Sequence, residues 1–354
     1  MNTTVPSSNI ATTPIVRVLV VDDSAYVRKM VKQMLSRSPF VEVVGTAHDG
    51  LEALELTREL QPDVITCDLN MPEMGGVRFV QEQMSRRAVP IVIMSIANRN
   101  GEDVLSALDA GAIDFVQKPT ALASERLLDV ADELVEKVKA AARASVRAAA
   151  PAATVLSVPM TGRATASVDI VVLGISTGGP QGLKALIPRL PAGLPVPLAI
   201  VMHMPIGYTE MYARKLDEVS ELQVKEAQEG DEVVAGQVLL APAGRHLTFR
   251  RVDDRVVVHL DLRPLDTPHR PAVDVLFQSA AEIYGARTLG VVMTGMGSDG
   301  REGAAWIKAR GGRILTEAEE SCVVYGMPRS VVEAGLSDSS STIDNMAAAI
   351  MDRL

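Results

Sequence analysis

The sequence predicts an α/β protein: two doubly wound, mainly parallel-sheet domains joined by an Ala/Pro-rich linker. Three observations carry this. Apolar runs alternate with amphipathic helical patterns over residues 15–137; the composition changes over 138–168; a second alternation spans 169–354. Regular β-α alternation sets strands parallel and covers both sheet faces with helices.

In the first region, the apolar run 15–21 reads as a strand ending in Asp22-Asp23. A helical pattern follows to Leu35, with Val27, Met30, Val31 and Met34 on one face. Val41–Val44 is a second strand and Gly50–Leu60 a second helix, with Leu51, Leu54 and Leu56 as its apolar positions. Val64–Cys67 is a third strand with Asp68 at its end, and Ile91–Met94 and Asp114–Val116 complete the sheet. A last helix is expected over 125–140. Alanine then fills nine of the fourteen positions 140–153, Pro151 and Pro159 follow, and no acidic residue lies between Glu136 and Asp169. This is a linker, helical at its start. Beyond it, strands are expected at 169–173, 198–202, 238–241, 289–293 and 313–316, with a hairpin across Asp253-Asp254. Helices are expected at 180–189, 208–219, 272–284, 299–310, 328–335 and 342–353.

Bulk properties narrow the class of function. A chain of 354 residues with 47% hydrophobic and 22% charged content supports two ordinary globular cores. The net charge of −9, and 18 Lys+Arg against 24 Asp+Glu counted over 167–354, argue against nucleic-acid binding. Cys67 and Cys322 are the only cysteines, which fits a reducing cytoplasm and excludes a disulfide framework or a cysteine-based zinc site. Residues 1–14 lack a basic start and an apolar stretch, and the uncharged run 190–209 contains four prolines, so no membrane insertion is expected.

Two groups of residues carry chemistry. Asp22, Asp23 and Asp68 all follow apolar strands of one sheet, where ligand sites form. Three converging carboxylates repel one another unless a hard cation such as Mg²⁺ offsets them. Ser95 and Lys118 end two further strands and add a hydroxyl and an ammonium to the same edge. The stretches Val20-Val21-Asp22-Asp23-Ser24, Asp68-Leu69-Asn70-Met71-Pro72, Ser95 and Lys118-Pro119 resemble, in order, the flavodoxin-like receiver domain of two-component response regulators. The resemblance implies that Asp68 takes phosphate from a histidine kinase. Asp22, Asp23, Asp68 and the backbone of Asn70 would hold Mg²⁺, Lys118 would contact the phosphate, and Ser95 and the aromatic Phe115 would follow the switch. Gly75-Gly76 departs from the Asp-Gly usual in that family.

The second group centres on Gly174-Ile175-Ser176-Thr177-Gly178-Gly179-Pro180, a glycine-rich turn between an apolar strand and a helix. G-x-S-x-G spacing there suits a nucleophilic serine; an N-cap in an ordinary βα turn is the plain alternative. A serine needs a base and an orienting acid. His203 ends the strand 198–202, and Asp299 follows the strand 289–293 within Thr294-Gly295-Met296-Gly297-Ser298-Asp299-Gly300. Asp274 competes for the acidic role but lies in a helical pattern. The order Ser…His…Asp differs from that of α/β-hydrolases. Gly295-x-Gly297-x-x-Gly300, with Glu317 after the next strand, also imitates a dinucleotide fingerprint, although late in its domain and with an acid where pyrophosphate would lie.

With Gly174–Pro180, His203-Met204-Pro205, Ala241–His246, Arg270–Phe277, Thr294–Gly300 and Gly326-Met327-Pro328, residues 169–354 resemble the catalytic domain of chemotaxis protein-glutamate methylesterases, the CheB family. Ala243 stands where that family often has glycine. The resemblance implies a hydrolase that removes methyl esters from glutamates of methyl-accepting chemoreceptors, often deamidates receptor glutamines, and needs no cofactor for this step. Ser176, His203 and Asp299 would form the triad, with the backbone N–H groups of Thr177 and Met296 as oxyanion donors. A cytoplasmic monomer is expected, with the receiver covering the Ser176 face. A phosphorylation-controlled binding module without chemistry is the competing class.

Overall fold

The computed structural model describes residues 14–96, 101–118, 124–144 and 168–354. The first unit runs β1 (Val16–Val21), α1 (Ala25–Leu35), β2 (Val41–Ala47), α2 (Gly50–Leu60), β3 (Val64–Asp68), α3 (Gly76–Arg86), β4 (Ile91–Ile96), α4 (Gly101–Asp109), β5 (Asp114–Lys118) and α5 (Ser124–Arg143). Its strands pair in parallel in the order β2-β1-β3-β4-β5. Side chains of β1 alternate between two cores: Val18 and Val20 pack with α1 and α5 residues, Leu19 and Val21 with α2 and α3 residues. Burial on both faces is why this strand reads as a continuous apolar run rather than an alternating one.

The second unit runs β6 (Ile170–Ile175), α6 (Gly179–Leu186), β7 (Leu198–Met202), α7 (Thr209–Glu218), β8 (Gln223–Glu226), β9 (Gln237–Leu240), β10 (His246–Val252), β11 (Arg255–Asp261), α8 (Val273–Tyr284), β12 (Thr288–Val292), α9 (Arg301–Ala309), β13 (Arg313–Glu317), α10 (Met327–Glu333), β14 (Ser339–Ser341) and α11 (Ile343–Met351). Seven strands form a parallel sheet ordered β14-β13-β12-β6-β7-β9-β8, while β10 and β11 form the expected antiparallel hairpin. One face of this sheet packs on α8, α9, α10 and the hairpin, the other on α6, α7 and α11. From β6 the chain moves to β7 on one side, and later to β12 on the other. The crevice between β6 and β12, at their C-terminal ends, is therefore the topological switch point where α/β sheets bind ligands.

The edge strands β8 and β14 are absent from the sequence expectation. Their sequences, Gln-Val-Lys-Glu and Ser-Ser-Ser, carry little apolar signal. Backbone pairing to β9 and β13 forms them, as at the edge a strand needs only one partner. The helix α5 runs to Arg143, past the expected boundary at 137. Most of the expected 138–168 linker lies outside the described residues.

The two units share a contact through α4 and Phe115 of the first and α6, α7 and Tyr208 of the second. Asp109 pairs with both Lys184 (2.7 Å) and Lys215 (2.8 Å). Gln181 Nε2 donates to the carbonyl of Ala112, and the rings of Phe115 and Tyr208 lie 4.8 Å apart.

At Gly75-Gly76 the two positions differ sharply. A Cβ on Gly76 would lie 2.2 Å from the Asp68 carbonyl oxygen, whereas one on Gly75 would meet the Leu69 carbonyl at an ordinary 3.4 Å. Gly75 is the N-cap of α3 and provides no side-chain cap. Gly76→Ala is expected to destabilise the full chain by about 1–3 kcal/mol in urea unfolding. Gly75→Asp should change it by only a few tenths, in the stabilising direction.

Candidate functional site

The first pocket lies at the C-terminal edge of the smaller sheet. Asp22 and Asp68 are buried, Asp23 is exposed, and one carboxylate oxygen from each lies within 4.8 Å of the others. Lys118, buried at the end of β5, donates to Asp22 Oδ2 at 2.6 Å and to Asp68 Oδ1 at 2.8 Å. Burial raises the Asp68 pKa; the Lys118 ammonium opposes this, the Asp22 charge adds to it, and the net shift is upward. Burial would lower Lys118, but the two carboxylates outweigh it and its pKa rises. Arg28 bonds the backbone carbonyls of Asp22 and Asp23 and so fixes the loop that carries them. Hard oxygen donors with two negative charges left after Lys118 is counted fit a small divalent cation. Asn70 sits in the exposed turn after β3, Ser95 is buried near the end of β4, and Phe115 is buried on β5 against Tyr208.

The second site occupies the switch-point crevice. Ser176 follows β6 directly, its backbone N–H bonded to the Thr294 carbonyl at 2.9 Å. The chain then turns through Gly178 at φ 79°, where a Cβ would also lie 2.6 Å from the Val323 side chain; only glycine meets both demands. His203 leaves the end of β7 and Asp299 the loop after β12. Ser176 Oγ lies 3.1 Å from His203 Nδ1, and His203 Nε2 lies 2.8 Å from Asp299 Oδ2. Since a carboxylate only accepts, Nε2 carries the ring proton and Nδ1 is left to accept from the serine hydroxyl.

Asp299 is held from several sides. Its Oδ2 also accepts from the backbone N–H of Val273, and its Oδ1 from that of Asp274, the first two residues of α8. Burial alone would raise its pKa; the bond and charge of His203 and the two helix N–H groups overcome this and hold it at about 2. Asp274 returns the arrangement, accepting from the N–H groups of Gly300 and Gly303 at the start of α9. Burial, together with the nearby Asp299 charge, pushes Asp274 up to about 6 against those two bonds. The structure thus separates the competing acids: Asp299 faces the histidine, and Asp274 braces the loop that carries Asp299.

The backbone N–H groups of Thr177 and Met296 make no hydrogen bond among the described residues. Each peptide is nevertheless oriented by its carbonyl. Ser176 O accepts from Gly179 N at 2.6 Å, and Gly295 O accepts from Gly326 N and Met327 N at 3.1 and 2.8 Å. In a trans peptide the N–H then points the opposite way.

Two histidines not assigned to the site from sequence lie beside it. The His269 ring stacks on His203 with centroids 4.0 Å apart, and desolvation together with the His203 charge holds its pKa down to about 4. His246 is buried; its Nδ1 accepts from Ala272 N and its Nε2 meets the Pro264 carbonyl, which braces the segment carrying His269. His269 is adjacent to the quoted Arg270-Pro271 stretch, but nothing in the spacing brings it to His203. Glu317, the acid that completes the imitated dinucleotide fingerprint, is buried and engaged with Thr294 N and Ser321 Oγ. The dinucleotide reading fails on that observation.

Fold and site together define a two-unit α/β chain: an acidic pocket with a buried lysine in one sheet and a serine-histidine-aspartate relay in the other. The CheB methylesterase family profile matches residues 171–350, and the response regulator receiver domain profile matches residues 18–132. A protein-glutamate methylesterase/protein-glutamine glutaminase of Myxococcus xanthus is 49% identical over 337 residues, covering 94% of this chain and 96% of that one. One from Symbiobacterium thermophilum is 44% identical over 350 residues, covering 95% and 96%. The crystal structure of the Thermotoga maritima CheB methylesterase catalytic domain superposes with a TM-score of 0.52 at 43% identity, over 53% of this chain and 100% of that one. The chain belongs to the CheB methylesterase family and carries a response regulator receiver domain.

The role of Asp274 is open to measurement. Asp274→Ala strips two helix N–H groups of their acceptor and should cost about 1–2 kcal/mol in chemical unfolding, whereas Asp274→Asn keeps an acceptor oxygen and should cost less than half of that.

Proposed function

We propose that this chain is a phosphorylation-controlled protein-glutamate methylesterase acting on methyl-accepting chemoreceptors, and that it also deamidates receptor glutamines. The observation that supports this most directly is the continuous relay from Ser176 Oγ through His203 to Asp299. In this reading His203 Nδ1 takes the Ser176 proton as Oγ attacks the γ-carbonyl of a methylated glutamate. Asp299 keeps the imidazole in the required tautomer and stabilises its positive charge. The oxyanion is met by the N–H groups of Thr177 and Met296, each donor worth about 3–4 kcal/mol in comparable sites. His203 returns the proton to the departing methoxide, which leaves as methanol. It then takes a proton from water as the hydroxyl attacks the acyl-serine, and glutamate and free Ser176 result. With a glutamine side chain the departing group is ammonia.

Control is assigned to the other pocket. Asp68 receives the phosphoryl group from a histidine kinase, and Lys118 contacts it. Asp22, Asp23, Asp68 and the Asn70 carbonyl would hold Mg²⁺, which supplies neutralisation of charge during phosphoryl transfer. Ser95 and Phe115 carry the change outward. Phe115 is suited to this because it touches Tyr208 of the second unit. We place the enzyme in the cytoplasm as a monomer; among the described residues no helix is long and apolar enough to cross a membrane.

Ser176→Ala should lower methanol release from methylated receptor membranes by about a thousandfold or more. Activity at the wild-type level, or no phosphonyl-serine adduct with a serine-directed fluorophosphonate, would reject the esterase reading in favour of a binding module. Removing residues 1–140 should raise basal methanol release. A truncated chain slower than the unphosphorylated full chain would reject occlusion by the receiver.

A further inference from the structure

Glu317 is a buried carboxylate at the end of β13 that the proposed reaction does not use. Its Oε2 accepts from Thr294 N at 2.8 Å, and its Oε1 from Ser321 Oγ at 2.9 Å. Ser321 Oγ in turn accepts from Ile343 N, which ties the carboxylate to the start of α11. Thr294 is held on every polar atom. Its carbonyl accepts from Ser176 N at 2.9 Å. Its hydroxyl donates to the Thr177 carbonyl at 3.0 Å and accepts from Val324 N at 2.9 Å. Gly295 N, on the following peptide, donates to the Val324 carbonyl at 3.0 Å.

Thr294 therefore lies in the loop of one oxyanion donor and bonds the loop of the other. Through its carbonyl and hydroxyl, Thr294 sets the peptides on either side of Ser176 and Thr177. Through the chain itself it fixes the start of the Gly295-Met296 peptide, whose carbonyl Gly326 and Met327 clamp. We propose that Thr294, anchored by Glu317, is a positioning residue: it sets the spacing of the Thr177 and Met296 N–H groups relative to Ser176 Oγ. This rests on the reading of Ser176 as nucleophile. Thr294 and Glu317 are both buried and offer little surface to a substrate. Donors must lie within a few tenths of an ångström of the developing oxyanion, and a misplacement near 1 Å costs about a hundredfold in rate. A hydroxyl that bridges two loops gives that precision more rigidly than packing alone, because a hydrogen bond weakens steeply with angle.

The test uses the full chain with methylated receptor membranes, and rates are expressed per serine labelled by a fluorophosphonate, so misfolded molecules do not count. Thr294→Val removes only the hydroxyl bonds and should lower kcat per labelled serine by about tenfold to a hundredfold, with KM within twofold. Thr294→Ser restores the hydroxyl and should recover kcat to within about threefold of wild type. Glu317→Ala should lower kcat similarly, and Glu317→Gln, which keeps an acceptor for Thr294 N, should not; this pair decides the matter if the valine variant does not fold. Wild-type kcat per labelled serine in Thr294→Val, or in Glu317→Ala where that variant stands in, overturns the inference. So does a loss that appears in KM or that the conservative variants share. Ser176→Ala, run alongside, separates the two failures: activity without Ser176 removes the esterase reading itself, whereas normal Thr294 and Glu317 variants remove only the positioning role.

Discussion

The three strand-end loops of the second unit depend on one carboxylate. Asp299 accepts from His203 and from the first two N–H groups of α8, so it is at once a partner for the imidazole and the N-terminal cap of a buried helix. These demands support each other. The α8 N-terminus favours a negative charge at that point, and the charge is what an imidazolium beside it would require. Asp274 completes the arrangement in reverse, capping α9, the helix that follows the Asp299 loop. Two helices thus exchange caps across the loop, and Asp299 cannot move without breaking both. That rigidity comes from residues a catalytic-triad description omits.

The same logic orders the two acids by environment. They lie close together, but only Asp299 has His203 and the α8 amides, and only it is driven to the charged form. Asp274, buried beside a charge of its own sign, is pushed the other way. Two neighbouring carboxylates with opposed shifts mark a division of roles. In the sequence the two were distinguishable only by one lying in a helical pattern and the other among glycines.

What the sequence revealed and what it hid follow from the range of the interactions. Ser176, His203, Asp22, Asp68 and Lys118 lie at strand ends and Asp299 in the loop after one; a parallel sheet gathers its strand ends along one edge, so the strand pattern placed them together and the family resemblance suggested their roles. The paired frame was legible for the same reason: β1 and β6 are buried on both faces and had to be apolar throughout. Contacts made across the sheet's end by side chains from distant loops left no periodic trace. His269 stacks on His203 from the segment after β11, and Glu317 reaches Thr294 from the neighbouring strand. Glu317 even occupied a position that mimicked a cofactor motif, because an acid at a strand end has the same spacing whether it faces a ribose or a backbone amide. The serines of β14 were silent because an edge strand is specified by its neighbour's backbone.

The contact between the two units combines exposed ion pairs with buried apolar packing. Asp109 meets two lysines, but all three side chains are substantially exposed, and such pairs are worth about 0–1 kcal/mol. The Phe115–Tyr208 ring pair adds about 0.5–1.5 kcal/mol beyond its buried area. Against these stands the Tyr208 hydroxyl, buried with no hydrogen-bond partner among the described residues. Leaving such a group unsatisfied costs about 1–3 kcal/mol, and water would recover that on separation. Phe115 thus packs against a side chain whose hydroxyl would gain a partner if water reached it. A phosphoryl signal that withdrew the Phe115 ring would remove an attraction and leave the penalty in place.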